Sequence, residues 1–290
     1  MRSDASDYDI LAPTTLDDVL AAMNERALTP LAGGTEIMVA LGAGRLAQRQ
    51  FVSLHHLHEL RFVDSNDAAM LRIGAGTTFT DIRSSRVVAD EFPLLVQTAS
   101  WTGSLANQNR GTLGGNIANA SPAADTPPAL LAYDAELELE SVRGTRTLSY
   151  LDFHLGYKCT ALAADELIVA IRLPRRFAQH VHWVRKVGAR NAQAISKVAL
   201  AAVARVADGS IDAIALGAAS LQDQPVRLHA TETALLGKRF DDDSALEAAK
   251  TALAGEVSPI DDIRSTARYR TAVAANLLEE FLQGLVAHRR

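Results

Sequence analysis

The chain has 290 residues, of which 48% are hydrophobic and 22% charged, and its formal net charge is −5. This length fits two or three domains, and an acidic balance without a long basic run argues against nucleic acid or an anionic membrane as the main partner. The single cysteine, Cys159, excludes an internal disulfide, an iron–sulfur cluster and a cysteine-rich zinc site on this chain.

Neither a secretion signal nor a membrane span is expected. The first twelve residues are polar and acidic, whereas a signal peptide has a basic region followed by an apolar core. No apolar stretch reaches the ~20 residues that cross a bilayer. We therefore expect a cytoplasmic protein with mixed helix and strand content.

The first predicted subdomain covers residues 1–56. Thr15, with Asp18 three residues later, has the spacing of a capping box and predicts the start of a helix. A short apolar strand at Thr29–Ala32 leads into a glycine turn, which a helical turn at Glu36–Leu41 follows. A second short strand is predicted at Phe51–Leu54.

The second predicted subdomain covers residues 57–175. Asp125 is placed to cap a helix whose first turn contains Pro127 and Pro128, where a missing N–H costs little. The predicted strands are Met70–Ala75, Ala135–Ser141 and Glu166–Leu173, and the predicted helices lie at Thr80–Ser85, Leu94–Trp101 and Thr126–Tyr133.

The third predicted domain covers residues 176–290. Asp208-Gly209 is a hairpin signal between two of its strands. Its predicted strands are His182–Gly188, Ser196–Ala207 and Ile211–Gly217, and its predicted helices are Thr231–Leu236, Asp243–Ala254 and Ile263–Ala287.

Two glycine turns are the main functional signals. Gly33-Gly34 and Gly114-Gly115 lack the Cβ atoms that would hold a ligand away from backbone N–H groups. Short polar side chains surround the second turn, more of them than a simple turn requires: Thr112, Asn116, Asn119, Ser121 and Asp125. The pair of turns predicts one extended, phosphate-bearing ligand held from two sides, that is, a nucleotide cofactor.

Other motifs lead to exclusions or stay open. Gly74-Ala75-Gly76 begins like a Rossmann fingerprint, but Phe79 stands where the third glycine or alanine belongs. Neither a nucleotide-triphosphatase phosphate loop nor a Gly-x-Ser-x-Gly nucleophile motif occurs. His55, His56 and His58 fit a solvated cluster better than a metal site. Lys186 lies either at an exposed strand edge or beside an anionic or electron-rich ligand.

Taken together, several strings resemble the FAD-binding (medium) subunit of the molybdenum hydroxylases, the group of carbon monoxide and xanthine dehydrogenases. They occur in family order across nearly the whole chain: residues 31–36 (LAGGTE), 109–118 (NRGTLGGNIA), 120–125 (ASPAAD), 165–168 (DELI), 186–188 (KVG) and 194–198 (AISKV).

The resemblance implies an α+β fold, with a vanillyl-alcohol-oxidase-type (PCMH-like) FAD-binding fold in two subdomains. A C-terminal α+β domain of the CO dehydrogenase flavoprotein type would follow. By position, the first turn would wrap the pyrophosphate and ribityl chain with Ala32, Gly33, Gly34, Thr35, Glu36 and Ile37. The flavin would be held from the other side by Thr112, Gly114, Gly115, Asn116, Asn119, Ser121 and Asp125. Ile168 would pack beside the ring, and Lys186 and Ile195 would lie near its edge. No residue of this chain is expected to be catalytic, and no metal site is expected on it.

The resemblance also implies partners. Electrons would reach FAD from two [2Fe–2S] clusters on a small subunit, after a large subunit with the molybdenum cofactor has oxidised the substrate. This chain would pass them to NAD+, a quinone, another carrier or oxygen. A dimer of heterotrimers is common in such families. Two alternatives stay open: a stand-alone flavin oxidase or dehydrogenase of the same broad fold, and an assembly subunit without cofactor.

Overall fold

The computed structural model describes residues 5–190 and 192–287. Its N-terminal part is a three-stranded parallel sheet in the order β1-β3-β2. The elements are β1 (Asp9–Leu11), α1 (Leu16–Glu25), β2 (Thr29–Leu31), α2 (Ile37–Gly42) and β3 (Gln50–Ser53). Thr15 caps α1 as predicted, but the Asp18 carboxylate accepts the Thr15 hydroxyl and not a backbone N–H.

The middle part is a five-stranded antiparallel sheet in the order β4-β5-β10-β6-β7, with helices covering one face. Its strands, with a separate hairpin made by β8 and β9, are β4 (Val63–Asp64), β5 (Met70–Gly74), β6 (Glu136–Ser141), β7 (Gly144–Ser149), β8 (His154–Gly156), β9 (Cys159–Thr160) and β10 (Leu167–Pro174). Its helices are α3 (Phe79–Ser84), α4 (Arg86–Glu91), α5 (Pro93–Trp101), α6 (Leu105–Gln108), α7 (Leu113–Ala118) and α8 (Pro127–Ala132).

The C-terminal part is a four-stranded antiparallel sheet in the order β11-β12-β13-β14. Its elements are β11 (Val181–Val187), β12 (Val198–Ala207), β13 (Ser210–Ala219), β14 (Val226–Arg227), α9 (His229–Leu235), α10 (Asp243–Glu256) and α11 (Ala267–Ala287). Helix α11 begins four residues after the predicted Ile263, because Asp262 and Ser265 pair in a turn ahead of it.

The four-stranded sheet has two buried faces. Ala201, Val203 and Ala215 belong to the same core as the five-stranded sheet, whereas Leu200, Ala202 and Leu216 pack with the C-terminal helices. A Cβ at Gly217 would lie 2.1 Å from the carbonyl oxygen of Pro128, so glycine is what lets α8 approach β13 closely. No helix in the described ranges is both long and apolar enough to span a bilayer.

Candidate functional site

The first glycine turn presents unpaired amides. It follows β2, and Gly34 takes a φ of +72°, a region that L side chains rarely adopt. Within the described residues, the backbone N–H groups from Ala32 to Ile37 find no acceptor in the protein. Unpaired backbone donors at successive positions form the kind of concavity that binds anions. This turn therefore has the chemistry of a phosphate cradle.

The two glycine turns meet. A Cβ at Gly33 would lie 2.0 Å from the carbonyl oxygen of Arg110, so only glycine allows this backbone-to-backbone approach. A Cβ at Gly115 would lie 3.8 Å from that of Ala32. Residues about eighty positions apart in the sequence thus form one continuous surface.

The second turn does not supply free amides, contrary to the expectation from its glycines. Thr112 caps α7, and its hydroxyl accepts the N–H of Gly115 at 3.0 Å. The N–H groups of Leu113 and Gly114 donate to the carbonyls of Thr77 and Ala75. A Cβ at Gly114 would lie 2.6 Å from that of Ala75, so this glycine serves packing. Gly115 is exposed and faces the first turn.

A groove of about 420 Å³ opens beside the first turn. Its lining is partly backbone and partly apolar, from Gly33, Gly34, Thr35, Met38, Val39, Ala106, Asn107 and Arg110. The sequence interpretation did not single out Asn107 or Arg110. The one sequence signal for Arg110 as a groove residue is its position directly before the Gly111-Thr112 segment.

A buried ion pair joins the middle and C-terminal parts. Lys186 Nζ lies 2.8 Å from Asp125 Oδ2, and the two side chains are 3% and 11% exposed. The Ser196 hydroxyl donates to Asp125 Oδ1 at 2.8 Å. Burial raises the pKa of the Asp125 carboxyl, while Lys186 and Ser196 act in the opposite direction. Lys186 is therefore not at an exposed strand edge.

Asp125 is consequently not the cap of α8. The N-cap is Thr126, whose hydroxyl donates to Asn116 Oδ1 at 2.5 Å. The prediction of a capping Asp125 was wrong because a buried cation from a distant strand competes for the carboxylate more strongly than helix amides do. The Thr126–Asn116 bond links this segment to α7.

The remaining predicted residues surround these two centres. Ile168 is buried on β10 at a bulge, and the carbonyl of its neighbour Val169 accepts the N–H of Ala75, the residue against which Gly114 packs. Asn119 ends α7, and the Ser121 hydroxyl accepts the N–H of Ala123. Glu36 and Ile195 are exposed, whereas Thr35 and Ile37 are partly buried.

The histidine cluster shows no metal-binding geometry. His55 and His56 are exposed and pack edge to face, with ring centroids 5.1 Å apart. In the part of the chain that the structure describes, no group of three or more His, Cys, Asp or Glu side chains is arranged to hold a metal ion.

Comparison with known families divides the chain in two. Residues 6–176 match the FAD binding domain in molybdopterin dehydrogenase, and residues 183–285 match the CO dehydrogenase flavoprotein C-terminal domain. The first match alone covers more than half of the chain.

Individual proteins give the same result. The xanthine dehydrogenase FAD-binding subunit of Escherichia coli O157:H7 is 31% identical over 259 residues, which are 89% of this chain and 88% of that protein. The carbon monoxide dehydrogenase medium chain of Hydrogenophaga pseudoflava is 28% identical, over 95% and 96% of the two chains. A solved carbon monoxide dehydrogenase from the same organism superposes with a TM-score of 0.89 at 29% identity, covering 94% of this chain and 95% of its own.

Fold and sequence agree over nearly the whole length. The predicted α+β architecture, a PCMH-like FAD-binding fold followed by a CO dehydrogenase flavoprotein C-terminal domain, is confirmed. The chain belongs to the FAD-binding, or medium, subunits of the molybdenum hydroxylase family, and it is an oxidoreductase flavoprotein.

Proposed function

We propose that this chain is the FAD-carrying electron-transfer subunit of a multi-subunit molybdenum hydroxylase. It would receive electrons from [2Fe–2S] clusters on a small subunit and deliver them to an external acceptor: NAD+, a quinone, another carrier or oxygen. A large subunit with the molybdenum cofactor would oxidise the substrate. The relatives named as FAD-binding subunit and medium chain support this division of labour.

The observation that carries the proposal is the junction of the two glycine turns. Unpaired amides from Ala32 to Ile37 fit a dinucleotide pyrophosphate, because several N–H donors can neutralise two phosphates without a lysine. Gly115, which is exposed and close to Ala32, would let the flavin's chain approach the backbone where the two turns meet. The residues present therefore fit FAD.

The individual assignments form part of the proposal. Residues 32–37 would hold the pyrophosphate and ribityl chain. Ile168 would pack beside the ring, and Lys186 and Ile195 would lie near its edge. The opposite side would be formed by Thr112, Gly115, Asn116, Asn119, Ser121 and Asp125, whereas Gly114, buried against Ala75, would support this side without facing the ligand.

The Lys186–Asp125 pair would set the charge at this edge. Bound FAD would supply the electron-transfer chemistry. A lone ammonium near the ring would favour the reduced, anionic form of the flavin. Because Asp125 lies 2.8 Å from Lys186, the pair is close to neutral and the field of the lysine is largely compensated. Ser196, 1% exposed, holds the carboxylate in place and helps to keep water away.

The need for partners follows from the cysteine count. One cysteine cannot ligate an iron–sulfur cluster, so the clusters would lie on another subunit. The similarity to medium chains supports a large subunit that holds the molybdenum cofactor, with a dimer of heterotrimers as one assembly. A cytoplasmic location belongs to the same proposal, since the single exposed Cys159 fits a reducing compartment. We also propose the divisions at residues 56 and 175, which separate the strands of the three large sheets.

The test is a visible absorption spectrum of the purified chain before and after FAD addition and gel filtration, with a thermal melt of each sample. Flavin bands that stay with the protein, and a melting temperature that rises with FAD concentration, are expected from ligand linkage. FMN is the matched control, because it lacks the second phosphate and the adenosine. Absence of retained flavin and of any thermal shift would contradict the proposal.

A further inference from the structure

Ser220 joins three segments that are far apart in the sequence. It follows β13 and has a φ of +65°, an uncommon conformation for a residue with a side chain. Its N–H donates to the carbonyl of Pro122 at 2.8 Å, and its hydroxyl donates to the carbonyl of Ser196 at 2.9 Å. Ser220 therefore ties the segment that leads to Asp125 to the segment between Ile195 and Lys197.

Arg270, near the start of α11, closes this junction from the other side. One of its terminal nitrogens donates to the carbonyl of Lys197 at 2.8 Å and to that of Ser220 at 3.3 Å. The other pairs with Asp262 at 2.7 Å. Arg270 is 3% exposed, so its charge is removed from water; Asp262 supplies the opposite charge, and two backbone carbonyls accept from the other terminal nitrogen.

Both residues hold backbone on either side of the Asp125–Ser196 bond. Pro122 precedes Asp125 by three residues, and Lys197 directly follows Ser196. The Lys197 ammonium also lies 5.4 Å from the ring centroid of Tyr269, the neighbour of Arg270. The start of the C-terminal helix is thus connected to the Asp125–Lys186 pair through Ser220 and through Lys197, which neighbours Ser196 and whose N–H donates to the carbonyl of Val187.

We infer that Ser220 and Arg270 are positioning residues for the flavin site. They fix the 121–125 and 194–197 segments relative to each other, so that the C-terminal domain completes the site instead of only packing against it. This inference rests on the proposed function, since the two segments are assigned there to the edge and one side of the flavin. Neither residue would contact FAD.

The test compares Arg270→Met and Ser220→Gly with wild type in the full-length chain. Arg270→Met removes both carbonyl bonds and the ion pair with Asp262. We expect FAD to bind about tenfold more weakly, with an altered visible circular dichroism of the bound flavin. Ser220→Gly keeps the bond to Pro122 and suits the positive φ, so this variant should fold. It loses the hydroxyl bond to Ser196 and should show the same spectral change with about threefold weaker binding.

Arg264→Met is the matched control. Arg264 pairs with the same Asp262, at 3.1 Å, but from the exposed side and without any bond to Lys197 or Ser220. It should leave both FAD affinity and flavin spectrum at wild-type values. Arg270→Lys, which keeps the charge, should restore part of the affinity.

The outcomes separate the two claims. If wild type does not bind FAD, the proposed function fails. If wild type binds FAD while Arg270→Met and Ser220→Gly bind it with unchanged affinity and spectrum, the inference is wrong, even if both variants melt at lower temperature. Should Arg270→Met be too unstable to purify, Ser220→Gly decides alone.

Discussion

At the scale of single residues, neighbouring glycines serve different purposes. Gly33 is required because the Arg110 carbonyl occupies the space of a Cβ, and Gly114 because Ala75 does. Gly115, in contrast, is exposed, and a Cβ there would meet only side-chain atoms, the Thr112 hydroxyl oxygen at 2.9 Å and the Ala32 Cβ at 3.8 Å. In the sequence all three look like one glycine-rich signal. In the structure Gly33 and Gly114 are needed for close packing, whereas Gly115 is accessible to a ligand.

This difference predicts opposite phenotypes for two substitutions. Gly33→Ala should lower the free energy of unfolding by about 1–3 kcal/mol, because backbone must move to admit the methyl group. Gly115→Val should leave the fold largely intact but abolish FAD retention, since its side chain would occupy the space between the turns. Urea titrations and flavin-to-protein absorbance ratios measure the two effects. Full flavin content in Gly115→Val would contradict the site assignment.

The Lys186–Asp125 pair makes a second prediction at this scale. Lys186→Ala leaves a buried carboxylate without its cation and should cost about 3–5 kcal/mol of unfolding free energy. The double variant Lys186→Ala/Asp125→Asn should be more stable than the single one, since no charge is left buried. A double-mutant cycle from urea unfolding gives the coupling energy. If the changes in unfolding free energy of the two single variants add up to that of the double variant, the pairing is wrong. Lys186→Ala should also shift the reduction potential of the flavin downward.

At the scale of elements, a helix cap holds the second glycine turn. Thr78 caps α3 in a capping box with Asp81, and it forms a β-bridge with Thr112. Burial acts to raise the pKa of Asp81, but hydrogen bonds from Arg61 and Thr78 outweigh it and the pKa is lowered. The start of α3 thus fixes the chain at the point where α7 begins.

Thr78→Ala should therefore affect both stability and binding. Loss of the cap is expected to cost about 1 kcal/mol of unfolding free energy. The start of α3 should also become less fixed, and because the Phe79 N–H there donates to the carbonyl of Gly111, we expect weaker FAD binding as well. Thr15→Ala, at the cap of α1, is the control: it should cost a similar amount without changing FAD affinity. Equal affinities for Thr78→Ala and Thr15→Ala would show that the α3 cap does not act on the site.

Most elements could be predicted from sequence because their signals are local. The hairpin at Asp208-Gly209 has its expected positive φ angles, +51° and +79°, and the prolines lie in the first turn of α8. The missed elements are short or exposed: β1 has three residues, and β7 is an edge strand with almost no buried side chain. The others that were not predicted are β4, β8, β9, β14, α4, α6 and α7. Edge strands lack the apolar pattern on which the prediction depends.

The site was predictable in its parts but not in its connections. Glycine turns and polar neighbours are visible as strings, and the resemblance to a known family ordered them. The pairing of Asp125 with Lys186, and the roles of Ser220 and Arg270, depend on strands separated by tens of residues. No local periodicity encodes such contacts, because they form only when the distant strands come together in the fold.

At the scale of the whole molecule, the middle and C-terminal parts share a core, and a partly buried histidine packs against its Tyr133. His182, on β11, lies 3.0 Å through Nδ1 from the Tyr133 hydroxyl, which in turn accepts the N–H of Leu94. Burial lowers the pKa of His182 to about 4, and the neighbouring His180 acts in the same direction. Burial likewise lowers the pKa of His154, beside Tyr150, to about 4.

These two histidines predict how stability depends on pH. An unfolded histidine titrates near pH ~6.5, so between that value and pH ~4 the unfolded chain binds protons that the folded chain does not. The contribution of these histidines to the free energy of unfolding should therefore be complete above pH ~6.5 and should decrease as the pH falls toward ~4. For the buried His154 this amounts to about 1–3 kcal/mol. His154→Gln and His182→Gln should each flatten the fall, whereas His56→Gln, at an exposed position, should not. Urea midpoints measured from pH 4.5 to 7.5 test this, and equal slopes for wild type and His154→Gln would mean that the acid sensitivity comes from carboxylates instead.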